Sequence, residues 1–287
     1  MLAVKNLHKS YGKKEILKGI SFMASKGQIV SLLGSNGSGK TTTFRCLLGL
    51  TDYDKGEIKY NNQKPDPHKM GYLPEERSLF YDVAVYRQLI YMAQLKGLDS
   101  YEAEKQTEYW LNRLKLNEYR NTIPLKLSKG NQQKVQLIMC LTGNPEIIIL
   151  DEPWTGLDQN NVRIFHDILI ELKKQNKIII LSSHQYQPVQ DSCDRFLYLK
   201  NGDITVNVTR QKLLNAPERM LEIEHTDNFY YKNKAIIKTF PGKNKVRFLF
   251  RNAEEAWKSA EEIRNSKDVI SFRIRNINIS DLTGADA

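Results

Sequence analysis

The sequence predicts an α/β fold, a mostly parallel sheet covered by helices on both faces, followed by a small α+β module. Three observations predict it. A glycine-rich loop at 34–39 falls between a strand pattern and a helix pattern. Two apolar runs, IIIL at 147–150 and IIIL at 178–181, are separated by a helical stretch from Val162 to Lys173. Beyond residue 208 the pattern changes to alternating strands around one amphipathic helix.

The elements follow in order. EILKGISFMASKGQIVSLLG at 15–34 mixes alternating and apolar runs, read as strands that end in the glycine loop. Lys40 to Leu50 has helical spacing, with Phe44, Leu47 and Leu48 on its apolar face. From Tyr86 to Leu116 the pattern is again helical. Leu89, Ile90 and Met92 mark one helix, and Asp99 or Ser100 can cap a second with Glu102 and Glu104 in its first turn. Tyr109, Trp110 and Leu114 are expected on the inner side of that second helix. In the module, Val246, Phe248 and Phe250 lie on one side of a strand, and Ala253, Trp257, Ala260 and Ile263 form a helical stripe. Ile270, Phe272 and Ile274 alternate with Ser271, Arg273 and Arg275 in a further strand. Trp154 and Trp257 read as core aromatics, Arg273 and Arg275 as a solvated basic face.

Composition narrows the function classes. A 287-residue chain with 40% apolar and 26% charged residues reads as a soluble globular protein, of one large domain with an appendage or of two modest ones. Its net charge of +10 is spread along the chain with no block of five like charges, so a basic surface accounts for it without nucleic acid. Cys46, Cys140 and Cys193 are far apart, odd in number and without a CxxC pair, which argues against structural zinc or a disulfide framework and for a reducing cytosol. His8, His68, His166 and His225 lack metal-ligand spacing and are expected at the surface. MLAVKNLHKSYG has no long apolar core, and the longest apolar runs are strand-sized, whereas a membrane span needs about 20 residues. Work at a membrane would therefore require another polypeptide to cross it.

The chemistry begins at LLGSNGSGKTTTF, residues 32–44. Gly34, Gly37 and Gly39 permit a backbone that turns successive N–H groups toward phosphate oxygens, and the loop includes Ser35, Asn36 and Ser38. Lys40 adds a cation for the β and γ phosphates, Thr41 a hydroxyl for Mg²⁺, and Thr42 continues the helix whose positive end faces the anion. IIILDEP then delivers Asp151 at a strand end, where its carboxylate can hold Mg²⁺, and Glu152 beside it can polarise an attacking water. A DE pair after a strand is by itself an acidic turn; with the phosphate loop it reads as catalytic.

LSKGNQQK at 127–134 narrows the field of nucleotide hydrolases. It resembles the LSGGQ motif of the nucleotide-binding subunits of ABC transporters, which also lies shortly before the strand with the DE pair. KSYGKKEIL offers Tyr11, resembling the aromatic residue that stacks on adenine, and GYLPEE resembles the γ-phosphate-sensing loop that touches the membrane partner. TGLD at 155–158 resembles the loop crossing the dimer interface, and LSSH the switch histidine, here His184. The resemblance covers residues 1–208 and implies a P-loop NTPase of ABC type, with a mostly parallel core sheet, an antiparallel β subdomain and a helical subdomain at about 80–140, leaving 209–287 as an accessory α+β module. GYLPEERSLF, LSKGNQQK and the extra module look most similar to the sodium- or drug-extruding ABC-2 type.

That resemblance implies an ATPase that drives a separate transmembrane permease, an exporter, from the cytoplasmic face of the membrane, with no nucleic-acid partner. Two copies sandwich two ATP molecules, because Ser128, read as the N-cap of the following helix, and Gly130 face the nucleotide of the opposite copy. Lys40, Glu152 and His184 would be catalytic, and Thr41, Asp151 and Glu75 would hold Mg²⁺. The chain departs from the family pattern at Lys129 and Asn131, and at Glu75, or Glu76 in another alignment, where the family has a sensing glutamine. An ionised carboxylate can ligate a metal but cannot donate a hydrogen bond. The alternatives are a soluble ABC-type ATPase acting on nucleic acid or the ribosome, without the tandem cassettes those members usually carry, and a regulatory module that holds ATP without turnover, which Glu152 argues against.

Overall fold

A computed structural model describes residues 1–226 and 229–283. The chain divides into two compact units, Met1–Asn207 and Val208–Ala287.

The first unit opens with β1 (Leu2–Tyr11), β2 (Lys14–Ala24), β3 (Gln28–Leu33), α1 (Lys40–Leu47), β4 (Lys55–Tyr60) and β5 (Met70–Leu73). Helices α2 (Val85–Leu95), α3 (Ser100–Arg113) and α4 (Lys129–Leu141) follow, then β6 (Ile147–Leu150), α5 (Gln159–Lys174), β7 (Ile178–Ser183), α6 (Tyr186–Ser192), β8 (Arg195–Lys200) and β9 (Asp203–Thr209). A six-stranded sheet runs β5-β6-β7-β3-β8-β9, and β2-β1-β4 form an antiparallel sheet. From β5 to β8 every pairing is parallel. Both β6 and β7 are buried at every residue, β6 apolar throughout and β7 apolar up to the Ser182–Ser183 pair that closes it. The mostly parallel core, antiparallel subdomain and helical segment are those the sequence predicted.

The helix starts carry their own signals. Asp99 accepts from Glu102 N at 2.8 Å to cap α3, Asp158 accepts from Asn161 N at 2.8 Å to cap α5, and Ser128 accepts from Asn131 N at 3.2 Å to cap α4. At its far end α4 is closed from α2's C-cap: Lys96 Nζ donates to the carbonyls of Met139 (2.6 Å), Cys140 (3.2 Å) and Thr142 (2.9 Å). All three ammonium donors are thereby used on carbonyls that the helix end leaves free.

The second unit contains α7 (Arg210–Leu214), β10 (Arg219–His225), β11 (Lys238–Pro241), β12 (Lys245–Phe250), α8 (Ala253–Ile263), β13 (Val269–Asn276) and α9 (Ile279–Thr283). Its sheet runs β11-β12-β10-β13, with α8 packed on a core of Leu221, Ile223, Val246, Phe248 and Phe250.

Five expectations are corrected. Tyr109 is 49% exposed, because its phenol reaches outward to donate to Glu171 Oε1 at 3.1 Å, while Trp110 and Leu114 are buried. Trp257 is 56% exposed; the buried stripe of α8 is Ala256, Ser259, Ala260 and Ile263, one residue round from the face the spacing suggested. Ile270 is 64% exposed, since His225 pairs with Val269 and Glu224 with Ser271, a bulge that leaves Ile270 as the extra residue. His225 is buried, its ring stacked on Phe229. Arg275 is not part of a solvated basic face: it pairs with Glu222 and grips Asp281 through two nitrogens at 2.6 and 2.8 Å. Arg273 also pairs with Glu222 but stays solvated, its side chain 74% exposed.

Candidate functional site

The site grows from the C-terminal ends of β3, β6 and β7. Strand β3 lies between β7 and β8, and its chain leaves the sheet through the glycine loop into α1. Gly34 has φ +155°, and a Cβ there would stand 2.4 Å from Leu199 O and 2.6 Å from Ser38 Oγ. Gly39, at φ +113°, caps α1, and a Cβ would meet Leu17 Cδ2 at 2.8 Å. Glycine is required at Gly34 by space as well as by angle, and at Gly39 by angle.

Lys40 is buried and folds back under the loop, its Nζ donating to Gly34 O at 2.8 Å and Ser35 O at 3.3 Å. The same ammonium lies 3.5 Å from Glu152 Oε1, which has no hydrogen-bond partner of its own. Thr41 Oγ1 donates to Asp151 Oδ2 at 2.8 Å. Asp151, 1% exposed, accepts from Ser182 Oγ on its other oxygen, and Ser182 Oγ in turn accepts from Glu152 N at 2.9 Å. Glu152 itself adopts φ +49°, strained for a residue with a side chain. Its Oε2 sits 2.9 Å from His184 Nδ1 and accepts from His184 N at 3.2 Å, while the His184 side chain is about half exposed at 48%.

A cleft of about 330 Å³ opens above the loop. Asn36, Gly37, Lys40, Thr41 and Thr42 form its floor, Glu75 and Asp151 stand at one wall, and Tyr11, Lys14 and Ile16 line it from the antiparallel sheet. Ser35 is exposed at the loop tip, and Ser38 Oγ is buried without a partner. Tyr11 is exposed with Lys9 Nζ 5.1 Å from its ring centre. The acidic wall is felt by Tyr72, whose phenol is pushed up to about 12, first by burial and then by the negative charges of Asp151 and Glu75 against the opposing Arg45. Ser128 and Gly130 do not line this cleft. Ser128 is exposed at the start of α4 and Gly130 packs where a Cβ would stand 2.5 Å from Asn161 Nδ2.

Sequence reasoning missed Ser182, which holds Asp151 and the backbone of Glu152 together; its signal was a polar pair closing an otherwise apolar strand before His184. It also passed over Lys14 and Ile16, whose place in the cleft depends on how the two sheets meet.

A parallel sheet with a phosphate-type loop at a strand end, a lysine beneath it and two carboxylates at the neighbouring strand end defines a P-loop nucleotide hydrolase. The comparisons with known proteins agree and go further. The family described as "ABC transporter" matches residues 17–155. The chain is 43% identical over 274 residues to the "Uncharacterized ABC transporter ATP-binding protein MJ1023" of Methanocaldococcus jannaschii, spanning 96% of this chain and 95% of that one. Among solved structures, an ATP-binding subunit of an ABC transporter superposes with a TM-score of 0.69 at 28% identity, over 74% of this chain and 91% of that chain. The dimeric post-hydrolysis state of the ATP-binding cassette MJ0796, bound to ADP and Pi, superposes with a TM-score of 0.68 at 25% identity, over 73% and 99%.

The chain belongs to the ATP-binding proteins of ABC transporters. It is an ATP-binding and ATP-hydrolysing subunit, of a family whose members pair as dimers and work with transmembrane components.

Proposed function

We infer that two copies of the chain close on ATP and open after hydrolysis, and that this stroke drives a separate membrane permease in the direction of export. The observation that carries the reading is the convergence of Lys40, Asp151, Glu152 and His184 at the phosphate loop. The similar proteins named above are all described as transporter cassettes, which favours this reading over a nucleic-acid-directed ATPase.

The loop amides from Gly34 to Gly39 and the start of α1 bind the phosphates. Lys40, already held beneath the loop, supplies the cation for the β and γ phosphates, and Tyr11 offers its exposed ring to the adenine. Glu152 accepts the proton of the attacking water; Lys40 at 3.5 Å and the strained backbone aim its carboxylate out of the strand. His184 holds that carboxylate on its other oxygen and contacts the γ phosphate. Ser128 and Gly130, set apart from the cleft of their own chain, serve the nucleotide of the second copy. Thr41, Asp151 and Glu75 are hard oxygen donors of the kind Mg²⁺ takes, and would hold it together with the phosphates. When bound, Mg²⁺ supplies neutralisation of the charge on the transferred phosphate. Among the described residues no group of three or more His, Cys, Asp or Glu is placed to hold a metal ion.

Among the described residues no helix is long and apolar enough to cross a membrane. In this reading the permease forms the membrane path and the chain works on its cytoplasmic face. Phe80, Tyr81 and Tyr91 support a docking place: all three are exposed on the helical subdomain, and Phe80 meets Tyr91 edge-on at 6.3 Å. GYLPEERSLF and LSKGNQQK, together with the second unit, favour an ABC-2 type exporter.

The test is the mass in solution of Glu152→Gln with and without MgATP. The variant is expected to form a stable dimer on MgATP, while the wild-type chain hydrolyses ATP without accumulating one. A variant that binds ATP yet stays monomeric, alone and with its permease, would sink the reading.

A further inference from the structure

Helix α4 reaches back to the cleft wall through a side chain the site does not use. Gln136 is 3% exposed, and its Nε2 donates to the backbone carbonyl of Glu76 at 3.0 Å. Glu76 is the residue after Glu75, which lines the cleft with Thr41 and Asp151. The neighbouring Gln133 makes a longer contact, 3.5 Å, to Pro153 O, the residue after Glu152. One helix thus touches the backbone beside each carboxylate in question, and its own start is Ser128.

The Gln136 amide is only half satisfied. Its Oε1 is buried without a hydrogen-bond partner, and so is Nε of Arg77, the residue after Glu76. A Cβ on Gly156 would lie 3.6 Å from an Arg77 guanidinium nitrogen, so that side chain stands against the TGLD loop that follows Glu152. An unpaired buried acceptor is unfavourable, and α4 is otherwise filled at this depth by Val135, Leu137 and Ile138. An apolar side chain would pack here without that cost. The amide is explained by what its donor holds.

We propose that Gln136 is a positioning residue, which holds the loop carrying Glu75 so that its carboxylate faces Thr41 and Asp151, and which ties that wall of the site to the helix beginning at Ser128. The proposal rests on the reading of Glu75 as a ligand of the nucleotide-bound metal.

The experiment uses the full chain carrying Glu152→Gln, so that ATP persists, and reads Mn²⁺ binding in the presence of ATP from the electron paramagnetic resonance signal of the free ion. Gln136→Met keeps the side-chain length and removes the donor. It is expected to weaken apparent Mn²⁺ binding about fivefold or more while the thermal melting curve stays cooperative. In a Glu75→Ala background the same change is expected to add nothing, because both act through one ligand. Gln136→Leu, which also removes the donor and suits the apolar neighbours Val135, Leu137 and Ile138, should reproduce the loss and supplies the answer if the Met variant does not fold. Mn²⁺ binding unchanged in the folded variants, or losses that add fully to that of Glu75→Ala, would overturn the role of Gln136 alone. A parent chain that binds neither ATP nor Mn²⁺ would overturn both this inference and the reading of the site beneath it.

Discussion

His184 Nδ1 lies 2.9 Å from Glu152 Oε2, and the other oxygen of that carboxylate faces Lys40 Nζ at 3.5 Å. Glu152 is thus held between two cationic or hydrogen-bonding groups from different elements, at a backbone angle of φ +49°. Its position depends on all three features. His184→Ala is therefore expected to leave ATP binding within a few-fold of wild type and to slow hydrolysis by roughly 10²-fold or more, the scale of losing an aligned acid–base partner. Single-turnover hydrolysis alongside a nucleotide-binding titration separates the two effects. Equal losses in both would argue against the role given to the histidine.

The phosphate loop tolerates no side chain at its first glycine. Gly34→Ala would bring Cβ within 2.4 Å of the Leu199 carbonyl at φ +155°. The carbonyl belongs to β8, the strand beside β3, and has little freedom to give way. The variant should lose about 3 kcal/mol in urea unfolding, in the range of severe packing conflicts, and should not bind ATP.

Two tryptophans, one where sequence and structure agree and one where they part, supply a paired test. Trp154 is 2% exposed beside the catalytic strand end, whereas Trp257 stands out from α8. Trp154→Ala is expected to cost about 3–5 kcal/mol and Trp257→Ala no more than about 0.5 kcal/mol, both read from chemical denaturation. Similar losses from the two would mean that Trp257 is covered in solution.

Acid should loosen the second unit first at Glu222. Burial raises its carboxyl, but the hydrogen bonds and charges of Arg275 and Arg273 outweigh it, and the folded-state value lies below the ordinary 4.5. A depressed folded-state value means that the stabilisation is complete above the ordinary value and is lost as pH falls below it through the folded one. Amide exchange of β10 and β13 in the full chain should therefore quicken below about pH 4.5 in wild type. Glu222→Gln should flatten that dependence. An identical acid response in the variant would remove Glu222 from the account.

Several parts of this molecule are legible because they are local. The strands IIIL are apolar through and through because both faces are covered, and Asp99, Ser128 and Asp158 announce helix starts within three residues of themselves. Faces are harder. The stripe of α8 differs from its spacing because alanines at 253, 256 and 260 fit two registers equally, and packing against Phe248 and Phe250 selects one. Ile270 departs from its alternation because a bulge in the pairing with β10 cannot be seen in β13 alone.

The sequence by itself determined the glycine spacing of the phosphate loop, the order of strand, loop and helix, and the presence of an acidic pair at a strand end, since each depends on a few neighbouring residues and their backbone preferences. Only the tertiary structure decided that Glu152 meets His184 across 32 positions, that Ser182 bridges Asp151 to the Glu152 backbone, and that Gln136 reaches the Glu76 carbonyl across 60. The physical reason is that a parallel sheet brings distant strand ends side by side, and which side chains then touch depends on register and packing that no short stretch of chain contains.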